Sequence, residues 1–172
     1  VLNSEGAYIS KFDDLKNLEL LSKVTEHFEA SIGVDFAASH IYKNGKYFYS
    51  KLNKKLDDGE QLDFVIDLIK TYKIFYIEDP FNENDFESFC ELTKKAKCLV
   101  AGDDIFSTQP ERLETGVKRK AGNAIIIKPD QTGTVSKTLN TVKIAKKSGF
   151  ITIVSHRSGE TNDDFIADLA IG

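Results

Sequence analysis

The chain has 172 residues, 41% of them hydrophobic and 29% charged, enough for roughly one domain with a substantial core. A formal net charge of −4 leaves no basic face for nucleic acid, and no apolar run approaches the roughly 18 to 20 residues of a bilayer span. Cys90 and Cys98 show no metal spacing and follow no secretory signal, so a cytoplasmic protein with reduced thiols is expected; the start at Val1-Leu2 and the absence of Met and Trp point to part of a longer product.

Leu15, Leu18, Leu21, Val24 and Phe28 recur every three to four residues and predict an amphipathic helix over 15–30, with Asp13 or Asp14 as its cap. A strand over 32–36 carries Asp35 at its end. In Tyr42-Lys43-Asn44-Gly45-Lys46-Tyr47-Phe48-Tyr49, an Asn-Gly pair stands between alternating aromatics and predicts a small β-hairpin over 42–49. Helical periodicity then recurs at about 60–71, 85–96, 110–120, 135–148 and from 162 onward. Between these helices run Ile74 to Ile77 ending in Glu78, Leu99 to Gly102 ending in Asp103, and Ile125 to Ile127 ending in Lys128. The last apolar run, Phe150 to Val154, ends in Ser155-His156-Arg157-Ser158-Gly159-Glu160-Thr161.

Alternating strand and helix with short connections imply an α/β fold with parallel strands and right-handed crossovers, either doubly wound or a barrel. A doubly wound sheet gathers ligands at one switch point, whereas here every strand ends in a polar residue, as in a (β/α) barrel. About five strands make only part of such a barrel. Neither G-x-G-x-x-G nor G-x-x-x-x-G-K-[ST] occurs, which argues against a nucleotide cofactor.

Asp35, Glu78 and Asp103 would together offer hard oxygen donors, a set that favours Mg²⁺ over softer ions. Each alone could equally be a solvated loop residue or a helix cap. Asp79 and Asp104 read as caps or as supports for the ligands. Lys128 leaves three consecutive isoleucines, so burial should lower its pKa and suit it to act as a general base, unless it is a snorkelling surface lysine. Arg157 and Ser158 suit a phosphate or carboxylate, and His156 between Ser155 and Arg157 has the setting of a functional histidine. Glu5, beside Gly6, is unremarkable by composition.

These strings together resemble enolase: Ser155-His156-Arg157-Ser158-Gly159-Glu160-Thr161, Ile77-Glu78-Asp79-Pro80-Phe81, Gly102-Asp103-Asp104, and Lys128 followed by Gln131 and Gly133-Thr134. The resemblance runs collinearly through essentially the whole chain, and it implies that residues 1–172 are the middle and later part of the C-terminal barrel domain. It implies the dehydration of 2-phosphoglycerate to phosphoenolpyruvate in glycolysis and gluconeogenesis, by a homodimer in its complete form. A lysine base with Mg²⁺ stabilising the ene-diolate is the known pattern of that superfamily. On this resemblance Asp35, Glu78 and Asp103 hold Mg²⁺, Lys128 takes the proton from C2, and Arg157 and Ser158 hold the phosphate. His156 lies near the leaving hydroxyl, and Glu5 is the acid that helps it depart. The chain departs from the family pattern at Ser4, Ala7 and Pro129-Asp130. It also lacks the second active-site lysine and the N-terminal capping domain, so these 172 residues alone are expected to be inactive. The contrasting expectation is a non-catalytic barrel piece that serves as a binding or assembly module.

Overall fold

A computed structural model of the chain describes residues 1–3 and 6–172. Helix α1 spans Asp14–Thr25, and the Asp13 carboxylate caps it by accepting the Lys16 N–H at 2.8 Å. It ends five residues before the periodicity suggested. Only Leu18 of this helix is buried, and Val24 and Phe28 are exposed, so no packing surface holds the last expected turn in place.

Strand β1 is Gly33–Asp35. The hairpin forms as β2 (Tyr42–Lys43) and β3 (Lys46–Tyr49), with Asn44 and Gly45 both at positive φ, as a two-residue type I′ turn requires. A third strand, β4 (Lys54–Leu56), pairs antiparallel with β3. Its Lys54-Lys55-Leu56 sequence carries no alternation that would mark it as a strand. Helix α2 (Asp58–Tyr72) opens with a reciprocal capping box between Asp57 and Glu60. There follow β5 (Tyr76–Glu78), α3 (Phe86–Lys95), β6 (Leu99–Gly102), α4 (Pro110–Arg119) and β7 (Ala124–Ile127). The short α5 (Pro129–Thr132), unforeseen in the sequence reading, starts directly after Lys128. Next come α6 (Val135–Lys147), β8 (Ile151–Val154) and α7 (Phe165–Ile171).

The large sheet has five parallel strands in the order β1-β5-β6-β7-β8. Strand order follows chain order with no reversal, so successive right-handed crossovers place their helices on one face, as in a (β/α) barrel and unlike a doubly wound sheet. On the helix side, Ile77, Val100, Ile125 and Ile127 pack with Phe81, Phe89, Leu92, Phe106 and Leu113 in one buried cluster. Each such side chain contributes roughly 1.5 to 3 kcal/mol of hydrophobic stabilisation. Phe106 fits because of glycine: a Cβ at Gly102 would lie 2.7 Å from its Cδ2, and one at Gly116 2.4 Å from its Cε1. Among the described residues no helix is long and apolar enough to cross a membrane.

Candidate functional site

Strand register brings the polar residues together. Asp35 pairs with Glu78, and Glu78 with Ala101, so the two carboxylates share a row and Asp103 stands two residues further along the same face. Ala101 pairs with Ala124, which puts Lys128 four residues beyond that row. Ser155 continues β8 by donating its N–H to the Ile127 carbonyl at 3.0 Å. The polar groups thus climb from strand to strand, as the stagger of a barrel dictates. They line a cavity of about 580 Å³ together with His40, Asp79, Asp104, His156, Arg157 and Ser158. A groove of about 510 Å³ beside α1 and β1 lies at the sheet edge and gathers no comparable set of charges.

Glu78, Asp79 and Asp103 present carboxylate oxygens within 4.8 Å of one another. Asp35 lines the same cavity but lies outside this tight group, and its Oδ1 accepts the Ala37 N–H at 2.8 Å. Asp79 thus joins Glu78 and Asp103 in the tight group. Both Asp79 oxygens are engaged by backbone, accepting the N–H groups of Asp103 at 3.1 Å and Asp104 at 2.8 Å. Asp79 is thus a bracket holding the loop that carries Asp103, and it caps no helix. The sequence sign for it was the run Glu78-Asp79-Pro80, in which Asp79 adopts a positive φ of 40°.

Burial, aided by the neighbouring carboxylates, pushes the carboxyls of Asp35, Glu78 and Asp104 upward, and it pushes Asp79 up to about 8. A concave site crowded with oxygen donors, whose charges burial and mutual repulsion disfavour, fits a hard divalent cation such as Mg²⁺.

Lys128 forms an ion pair with Asp103 Oδ2, and its side chain is 17% exposed. The expected withdrawal from water is present, and the ammonium faces a carboxylate. Gln131, in the unforeseen turn α5, donates from Nε2 to Asp103 Oδ1 at 2.9 Å. Fully buried Thr108 ties this corner together. Its Oγ1 accepts the Lys128 N–H at 2.9 Å and donates to Gln131 Oε1 at 2.6 Å.

The loop after Glu78 is clamped from several sides. Gln61 Nε2 donates to the Pro80 carbonyl at 2.8 Å, the Asn82 N–H donates to the Tyr47 hydroxyl at 3.0 Å, and the Glu83 N–H donates to Ser39 Oγ at 2.9 Å. Arg112 donates to the carbonyls of Glu83 and Ile105. Helix α2, Ser39, the three-stranded sheet and α4 thus hold the segment that follows Glu78 and Asp79.

On the far side of the cavity His156, Arg157 and Ser158 are exposed, and Arg157 Nη1 lies 3.2 Å from Asp130 Oδ2. Glu5 lies outside the described residues.

The family model for "Enolase, C-terminal TIM barrel domain" matches residues 12–172. The chain is 44% identical to the enolase of Archaeoglobus fulgidus over 173 residues, covering 97% of this chain and 43% of the relative. It is 50% identical to the enolase of Methanosphaera stadtmanae over 143 residues, covering 81% of this chain and 34% of the relative. It is 42% identical to that of Elusimicrobium minutum over 176 residues, covering 99% and 41% respectively. The chain spans less than half the length of these relatives. With the strand-end cavity, the one-sided crossovers and this match all in agreement, the chain belongs to the enolase C-terminal TIM-barrel family.

Proposed function

We propose that this chain supplies much of the active-site face of an enolase that converts 2-phosphoglycerate to phosphoenolpyruvate with Mg²⁺. The observation that supports it most is the convergence of carboxylates, Lys128 and the Ser155 to Ser158 turn in one cavity at the C-terminal ends of successive parallel strands. The names of the related proteins lend further support. Residues 1–172 would form part of the C-terminal barrel domain, with a capping domain and the last barrel units outside it, in a cytoplasmic homodimer. By themselves they are expected not to turn over substrate.

Asp35, Glu78 and Asp103 would hold Mg²⁺, with Asp79 fixing the backbone that carries Asp103. When bound, the ion would supply positive charge that favours the form gaining negative charge as the C2 proton leaves. Lys128 accepts that proton at Nζ once its ammonium has given one up and parted from Asp103. The electron pair of the C2–H bond first passes as charge to the carboxylate and then returns to form the C2–C3 double bond as the hydroxyl leaves C3. Glu5 donates the proton with which that hydroxyl departs as water, and His156 lies near it. Arg157 binds the phosphate through its guanidinium fork and Ser158 through its hydroxyl, fixing C2 against Lys128.

The test is an assay of the intact protein for phosphoenolpyruvate formation from 2-phosphoglycerate, with and without Mg²⁺. Exchange of the C2 proton with solvent is followed in parallel for wild type and Lys128→Ala. Turnover that needs Mg²⁺, with exchange lost in the variant, is the expected result. Exchange at the wild-type rate in Lys128→Ala would remove Lys128 as the base.

A further inference from the structure

Tyr76 and Glu78 stand two residues apart on β5, so their side chains share one face of the strand. The Tyr76 hydroxyl donates to Glu78 Oε2. Its ring lies against β1 at Gly33, its register partner, where an added Cβ would stand 3.2 Å from Tyr76 Cδ1 and 3.5 Å from Tyr76 Cβ. Glycine at this place leaves room for the ring, and the ring in turn presents its hydroxyl to the carboxylate. Neither Tyr76 nor Gly33 belongs to the strings that carry the family resemblance.

We propose that Tyr76 is a positioning residue that fixes the Glu78 carboxylate for cation binding, with Gly33 making room for it. The proposal rests on the reading of Glu78 as a Mg²⁺ ligand. Glutamate has three side-chain torsions, and a half-buried glutamate facing Asp35 and Asp103 is driven to turn away from them. A phenol, with an ordinary pKa of about 10, remains a neutral donor through the physiological range. Holding one oxygen removes the rotational freedom that binding would otherwise have to freeze, while the other oxygen is left to the cation. Backbone amides likewise hold both carboxylate oxygens of neighbouring Asp79.

The test is calorimetric titration of the intact protein with MgCl₂ alone, together with the melting temperature in chelator, for wild type, Tyr76→Phe and Glu78→Gln. Tyr76→Phe is expected to weaken Mg²⁺ binding by about 10- to 100-fold, with the melting temperature in chelator unchanged. Glu78→Gln should weaken binding at least as much. If Glu78→Gln loses affinity and Tyr76→Phe binds within about twofold of wild type, the positioning role is overturned while the ligand assignment stands. If Tyr76→Phe melts lower in chelator with its Mg²⁺ affinity intact, Tyr76 only packs, and the proposal is overturned in the same way. If Glu78→Gln binds like wild type, the ligand assignment itself falls, and the proposal falls with it.

Discussion

Replacing Asp79 by asparagine tests the link between burial and charge at the centre of the site. Asp79 is 3% exposed, and burial pushes its carboxyl up to about 8, against about 3.9 for an unfolded aspartate. Between these values the folded protein binds more protons than the unfolded chain, so its stability falls as pH rises from about 4 to about 8. One such group changes the unfolding free energy by about 3 to 4 kcal/mol between pH 5 and pH 8, at no more than about 1.4 kcal/mol per pH unit. At about 2 to 4 °C per kcal/mol for a chain of this size, wild type in chelator should melt roughly 7 to 14 °C higher at pH 5 than at pH 8. Asp35, Glu78 and Asp104, also pushed upward, act in the same direction. Asp79→Asn cannot titrate. It keeps one oxygen for the amides of residues 103 and 104 and turns an NH₂ against the other, a defect of about 1 to 3 kcal/mol. Urea unfolding of both proteins in chelator at several pH values between 5 and 8 gives the difference in stability. That difference should be largest at pH 5 and shrink by about 3 kcal/mol toward pH 8. Parallel profiles would refute the reasoning. Such profiles would mean that the two backbone donors outweigh burial and hold Asp79 ionised throughout this range.

Lys128→Met leaves Asp103 without its cation in a pair whose side chains are 17% and 12% exposed. The variant should lose about 3 kcal/mol in chelator and gain more stability than wild type on adding Mg²⁺, both read by urea unfolding; equal stability in chelator would show that the pair carries no weight. Gly116→Ala gains about 1 kcal/mol of helix propensity, but its Cβ would meet Phe106 Cε1 at 2.4 Å. With an overpacking cost of about 1 to 3 kcal/mol, chemical denaturation should show a net loss, and a net gain would contradict the packing around Phe106. Tyr47→Phe removes the oxygen that accepts the Asn82 N–H and should cost about 1 kcal/mol, with faster hydrogen exchange at Asn82. Unchanged exchange there would mean that the small sheet does not clamp the loop.

Residue order by itself determined the alternation of strands and helices, because each period of apolar residues is a local property of the chain. Ile125-Ile126-Ile127 can only be a buried strand between polar ends, and Asn44-Gly45 accepts the positive φ angles its turn demands. The polar residues at the strand ends were legible for the same reason, since in a parallel sheet wrapped by helices each strand end delivers its side chain to one rim. Strand β4 was not legible, because Lys54-Lys55-Leu56 becomes a strand only when β3 offers its edge. Nor was α1's early end, which depends on what lies beneath Val24 and Phe28. Spacing along the chain likewise says nothing of which groups meet across strands. Register and burial alone decided that the Asp79 carboxylate comes close to those of Glu78 and Asp103, that Lys128 turns to Asp103, and that Tyr76 reaches Glu78 over Gly33. Those contacts join residues far apart in sequence or pointed by the same strand face, and their energies exist only once the sheet has brought the groups within a few ångströms and excluded water from between them.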